Sequence, residues 1–298
     1  MTIAPSVTTP GAPGVVTWAL VRRHPVAVFL LWFFTVGQAI ALVPVATNHW
    51  LGTDLASEPF LLGATYVGLL LPVLVITALT EGAAGVRALL RRVAPRGVSP
   101  IWYAGVTIGV PLVMVAVWLA VSGQPQQPDG SSLVLSHLLN LLVVLVTFNL
   151  WEEIAWTGFV QARLQSRHGA MVAATLTAPA FALGHISQVL EGSASTVLAL
   201  VALLVVVCVP LRALMGWLYN RTGSVLLVGL GHAAANATAA GSLVGPGLLD
   251  RLYPGDGAGG LVFPILGVMG LVAIAMTRGR LGQGGQTAQA WVRGIHRR

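Results

Sequence analysis

The chain has 298 residues, of which 56% are hydrophobic and only 8% charged. A soluble domain carries roughly 25% charged residues, so this chain could not cover a water-facing surface, and membrane class follows. The net charge of +7 does not point to nucleic acid: every basic residue is Arg, placed in short clusters between or beyond apolar blocks, and no basic face carries interleaved aromatics. One cysteine, Cys208, lies inside an apolar block, which excludes both an intramolecular disulfide and a thiolate metal cluster.

Residues 1–21 contain three prolines and lack useful periodicity, and they read as a flexible cytoplasmic tail. Arg22 and Arg23 then precede an apolar run from Val26 to Val45, longer than the core of a secretory signal and therefore expected as a retained first helix. Further blocks run from Phe60 to Leu79, Ile101 to Val121, Leu133 to Leu164, Ala170 to Leu190, Thr196 to Leu218, Ser224 to Leu243 and Leu261 to Met276. A bilayer core asks for about 20 apolar residues per helix, so the pattern predicts an all-α polytopic membrane domain over residues 22–281, with about eight transmembrane helices around a buried polar cavity. Pro72, Pro111, Pro179, Pro210 and Pro264 are candidate kinks. Between the second and third blocks, Gly82 to Pro100 reads as a short interfacial helix carrying Arg87, Arg91 and Arg92.

Arginine counting orients the chain. Arg22 and Arg23, then Arg87 to Arg96, Arg163 and Arg167, Arg212 and Arg221, and Arg278 to Arg298 fall in alternate loops, while the opposite loops hold acids and only Arg251. Both termini are thus expected in the cytoplasm, with residues 282–298 as a basic tail. The absence of Lys beside abundant Ala, Gly, Val and Arg suggests a bacterial source, hence a multi-pass protein of the bacterial cytoplasmic (inner) membrane. No internal repeat supports an inverted-repeat transporter.

Ionisable side chains inside a bilayer mark function by default. Glu152 and Glu153 lie deep in the fourth block, His185 ends the run Phe181-Ala182-Leu183-Gly184-His185, and His232 opens His232-Ala233-Ala234-Ala235-Asn236. His232 and Asn236 are one turn apart on one helix face, as are Phe181 and His185. Neighbours on a helix are about 100° apart, so Glu152 and Glu153 cannot aim at one point; one is expected at the chemistry and the other in support. Measured along their helices from the flanking arginines, the acid, imidazole and amide groups reach overlapping depths. His137, near the outer end of its block, reads as interfacial, and Trp151 and Trp156 as packing or cavity walls.

Glu-Glu followed by an aromatic and Gly, then Phe-x-x-x-His, then His-x-x-x-Asn, on successive hydrophobic segments, resembles the CPBP family, the CAAX proteases and bacteriocin-processing enzymes also called Abi proteins. The motif-bearing core covers residues 133–243. The resemblance implies an eight-helix intramembrane fold and endopeptidase activity on a peptide or membrane-anchored protein. Glu152 would then be the general base, His185 would hold the water, and His232 and Asn236 would stabilise the oxyanion, with Glu153 in support. One departure stands out: the family carries Arg five positions after the first Glu, and here that position is Thr157.

The chemistry is sound in its own terms. A carboxylate with access to one water can take its proton as that water attacks a carbonyl, and donors aimed at the developing oxyanion supply a large electrostatic term. Zinc is the alternative activator, for which Glu152, Glu153, His185 and His232 would be the ligands. The His-Glu-x-x-His signature of soluble zinc proteases is absent, and Asn236 suits an oxyanion better than a metal, so no cofactor is favoured. The expected function is an intramembrane endopeptidase, glutamate peptidase or metalloprotease, cutting a leader peptide or membrane-associated protein near the cytoplasmic leaflet. A non-catalytic membrane scaffold or bacteriocin-immunity-type protein on the same fold is the alternative, and a proton-relaying carrier is a third possibility. The partners are the substrate polypeptide and the lipid bilayer, with no nucleic acid.

Overall fold

A computed structural model describes residues 13–126, 130–190, 193–255 and 262–282. The described residues are helical, with no strand among them beyond one isolated bridge between Ser242 and Gly245. Confining every backbone hydrogen bond within a helix is what lets such apolar segments lie in hydrocarbon. In chain order the helices are α1 (Pro13–Arg23), α2 (Pro25–Leu51), α3 (Glu58–Arg91), α4 (Pro100–Ser122), α5 (Gly130–His168), α6 (Ala170–Leu183), α7 (Ala194–Thr222), α8 (Val225–Ala239), α9 (Leu248–Leu252) and α10 (Val262–Thr277). By length and composition α2, α3, α4, α5 and α7 can cross a membrane; α6, α8 and α10 are shorter apolar helices. The protein is an all-α polytopic membrane protein.

The N-terminal tail differs from expectation where it can be seen. Residues 13–23 form helix α1, ending on Arg22 and Arg23, whose charges complement the carbonyl end of the helix. Residues 1–12 and 283–298, and with them most of both expected tails, lie outside the described residues.

Two of the proline kinks are absorbed. Wider i→i+5 turns at Ala64–Leu70 and Gly105–Gly109 immediately precede the segments that hold Pro72 and Pro111, relaxing the turn against which each ring would press. The break in α3 comes instead at Gly82, whose φ of 67° and ψ of −170° stop the helix and restart it toward Arg91. A side chain would be strained there. This yields the short Arg-bearing piece that the sequence suggests, although it ends at Arg91 rather than Pro100.

Helix α8 runs through the middle of the bundle. Its residues from His232 to Ala235 are buried on every side, a packing that alanines permit by letting neighbouring backbones come close. Its start is held by Ser224, whose hydroxyl accepts from Leu227 N at 3.1 Å, and by the turn after α3, where the Arg92 and Val93 carbonyls each accept a backbone N–H at 2.8 Å. Helices α7 and α10 approach through Gly270, where a Cβ would overlap the Pro210 carbonyl.

The expected place of Arg212 is corrected by the fold. Sequence counting put it in a cytoplasmic loop, but α7 continues unbroken to Thr222, and Arg212 is fully buried in the bundle.

Candidate active site

Helix α5 carries the acids and gives them different surroundings. The Glu153 side chain is 0% exposed and faces α7 and α8, whereas Glu152 is 18% exposed and lines a cavity. The step of about 100° between neighbours gives the two side chains different environments, although both carboxylates come near His232 Nδ1, Glu152 at 3.8 Å and Glu153 at 3.1 Å. Wide turns flank the pair at Leu145–Asn149 and Ile154–Gln161. Such irregularities recur at functional sites because they re-aim side chains.

Below the pair, Glu153, Thr157 and Gln161 form a polar ladder at successive turns of α5, and the Arg212 guanidinium of α7 lies along it. Arg212 Nη1 donates to Glu153 Oε1 and Oε2 at 3.0 and 3.1 Å, and Nη2 donates to Thr157 Oγ1 at 2.7 Å and Gln161 Oε1 at 2.8 Å. Arg212 Nε also reaches Gln161 Oε1, at 3.1 Å, and Gln161 Nε2 returns a bond to the Arg212 carbonyl at 3.1 Å. Thr157 Oγ1 donates onward to Glu153 Oε2. A buried carboxylate is tolerable only when its lone pairs and its charge are both met, and this ladder does both. The guanidinium missing from position 157 is therefore present beside it, supplied by another helix.

His232 of α8 completes the support. Its Nδ1 lies 3.1 Å from Glu153 Oε1 and 3.8 Å from Glu152 Oε2. An ionised carboxylate only accepts, so Nδ1 carries a proton. His185, just past the end of α6, places Nδ1 at 2.8 Å from the Phe181 carbonyl. That oxygen also can only accept, so in the neutral ring Nε2 is the acceptor.

Asn236 and Glu152 are joined through a residue that the sequence reading passed over. Asn236 Nδ2 donates to Asn149 Oδ1 at 3.2 Å, and Asn149 Nδ2 donates to Glu152 Oε2 at 3.1 Å. Asn149 is buried, one turn before Glu152. The signal was there to find: an amide inside an apolar block, at i−3 from the acid. Arg212 carried a similar signal, an ion within a 29-residue apolar helix.

Glu152, His185, His232 and Asn236 all line one cavity of about 460 Å³. Its walls include Phe33, Trp156 and Phe263, and its polar groups come from α2, α3, α5, α8 and the segments just beyond α6 and α8. His137 is not among the lining residues, and Trp156 is, as a wall.

The four candidate zinc ligands are not gathered for a metal. Among the described residues, no group of three or more His, Cys, Asp and Glu side chains is placed to hold one. Both Glu153 oxygens are already taken by donors, including a guanidinium that a cation would have to face. The donor set therefore does not fit a zinc ion held by all four.

An acid, two imidazoles and an amide surround one cavity inside a polytopic helical bundle. Residues 134–238, roughly a third of the chain, match the family model for type II CAAX prenyl endopeptidases, described as Rce1-like. The matched segment includes all five expected site residues, agrees with the resemblance seen in the motifs, and supports a CAAX-type intramembrane endopeptidase in general. Such a protease implies a protein substrate in the membrane. No curated relative matches the chain.

Proposed function

We propose that the protein hydrolyses a peptide bond in a membrane-associated polypeptide, with Glu152 as the base that activates water. The observation that supports this most is the unequal treatment of the two glutamates. Glu153 is saturated by Arg212, Thr157 and His232, while Glu152 faces the cavity beside His185, His232 and Asn236. A base must meet its water, and only Glu152 can.

In this mechanism a water sits between Glu152 and His185 Nε2, which accepts one of its hydrogens. Glu152 removes the other as the oxygen attacks the substrate carbonyl. The tetrahedral oxyanion is met by Asn236, whose Nδ2 keeps a second N–H beyond the one given to Asn149. His232 can donate from Nε2 only with both ring nitrogens protonated, a state that Glu153 and Glu152 flank with negative charge. Glu152 then returns its proton to the leaving amine, so protons balance over one turnover. We further propose that the protein resides in a bacterial cytoplasmic membrane with both termini inside, on the arginine distribution.

The test is cleavage of membrane peptides by the detergent-purified full chain, read by mass spectrometry, beside Glu152→Gln and with and without chelator. Cleavage that falls by about 10²–10⁴-fold in Glu152→Gln and ignores chelator is expected. Chelator-sensitive, metal-restored cleavage would move the reading to a metalloprotease. A protein that cleaves nothing, yet supports its cellular role equally well as Glu152→Gln, is a scaffold.

A further inference from the structure

We infer that Gln38 of α2 is a substrate-binding residue of the site: its side-chain carbonyl accepts a main-chain N–H of the polypeptide and so fixes the register in which the chain lies before Glu152. This rests on the hydrolytic reading above and adds to it a group outside the matched residues 134–238.

Two irregular turns set the place of Gln38. A wide i→i+5 turn of α2 at Phe33–Gly37 ends immediately before it and packs against the wide turn of α3 at Ala64–Leu70. The two backbones meet at Gly37 and Gly68, where a Cβ on Gly68 would stand 2.6 Å from the Gly37 Cα. Such turns shift the direction of the side chains that follow them. Here the residue that follows is an amide, 6% exposed, lining the cavity beside Phe33 and Ala41 of the same helix.

The orientation of that amide follows from its one bond. Nε2 donates to the Gly184 carbonyl at 3.3 Å. A carbonyl only accepts, so the nitrogen belongs on that side and Oε1 on the other. Among the described residues nothing donates to the buried Oε1. A buried acceptor without a donor is costly in the empty site, and the cost is relieved when a donor arrives.

The donor that hydrolysis brings into this cavity is the substrate's own backbone. Gly184 immediately precedes His185, so the amide that offers Oε1 is anchored one residue from the ring assigned to the water. An extended chain whose carbonyl is attacked beside His185 presents further N–H groups, at steps of about 3.3 Å per residue. One of them meets Oε1. A residue without an N–H, proline above all, is disfavoured at that register.

The test exchanges single groups of the substrate. A peptide cleaved by the detergent-purified full chain is remade with each main-chain amide outside the scissile bond replaced in turn by an ester, which removes one N–H and keeps the extended shape. With the native chain, one replacement should lower kcat/KM by about 5- to 100-fold, the effect of leaving a buried acceptor unmet. Gln38→Met should already cleave the all-amide peptide more slowly, and the ester at that one position should cost it nothing further. Gln38→Asn, which withdraws the same amide by one methylene, is the second variant if a melting curve shows Gln38→Met unfolded, with the same loss of the ester penalty expected. A Gln38 that only props the turn at Gly184 would lower kcat for every peptide alike and leave the ester penalty in place, which overturns the inference. Tolerance of every ester by the native chain overturns it too. Absence of any cleavage by the native chain would overturn the hydrolytic reading and this inference together, whereas cleavage with an unaltered ester penalty overturns this inference alone.

Discussion

Arg212 Nη1 lies 3.0 Å from Glu153 Oε1, with both side chains fully buried and carried by different helices, α7 and α5. The same guanidinium reaches Thr157 and Gln161, so one residue ties together three turns of the helix that presents Glu152. The site's geometry therefore depends on a cation that never touches the cavity.

Removing that cation should be costly. Arg212→Met takes the guanidinium from buried Glu153, leaving only Thr157 and His232 as its donors, and breaking such a buried pair costs about 3–5 kcal/mol. Thermal unfolding in detergent would measure it, and a melting curve equal to that of the unmodified protein would show that the pair is dispensable. Arg212→Lys should recover only part of the loss, because an ammonium cannot match the planar fork that spans Glu153, Thr157 and Gln161.

Because Thr157 Oγ1 touches Nη2, an arginine rooted at position 157 should be able to deliver its charge to the same place. The double variant Thr157→Arg with Arg212→Thr should therefore be more stable than the sum of the two single changes, with a favourable coupling of about 0.5–3 kcal/mol. Additive losses would mean that the cation acts only from α7.

His185 offers a test at the level of single nitrogens. Its Nδ1 is committed to the Phe181 carbonyl, leaving Nε2 for the water. Glutamine places its amide nearer the Nε2 position and asparagine nearer Nδ1, so His185→Gln should retain more cleavage than His185→Asn. The reverse order would assign the ring a purely structural role.

The two amides should separate kinetically. Asn236→Leu removes an oxyanion donor and should lower kcat by about 10²–10³-fold. Asn149→Leu removes only the bridge to Glu152 and should cost less. Equal losses from the two would place Asn149 at the reacting atoms as well.

Packing makes a prediction far from the chemistry. Gly270→Ala forces a methyl against the Pro210 backbone where α7 meets α10, and overpacking of this kind costs about 1–3 kcal/mol. The unfolding midpoint should fall while cleavage by the folded fraction is unchanged.

Much of this was readable before any coordinates. The apolar blocks mark the five described helices long enough to cross a membrane and the three shorter apolar ones, because a membrane span is a one-dimensional property of length and hydropathy, and the starts of the shorter helices agree to within a few residues. Glu152, Glu153, His185, His232 and Asn236 stood out because ions and amides are rare in such blocks. Arg212 carried the same signal but was misplaced: counting arginines by loop treats each as a topological marker, and a buried one near a helix end looks the same as one in water. Asn149 carried the same amide signal as Asn236 but stands outside the three motifs, and only the packing of α5 against α8 joins it to both Asn236 and Glu152.

The sequence by itself determined the membrane class, the helical architecture and the short list of residues able to do chemistry, since each follows from composition and from spacing along one helix. Only the tertiary structure decided which glutamate is saturated and which meets the cavity, and that α7 supplies the guanidinium absent from position 157. Those outcomes depend on how separate helices rotate and close upon one another. Local periodicity cannot encode that arrangement, because it is set by the packing of all the helices at once.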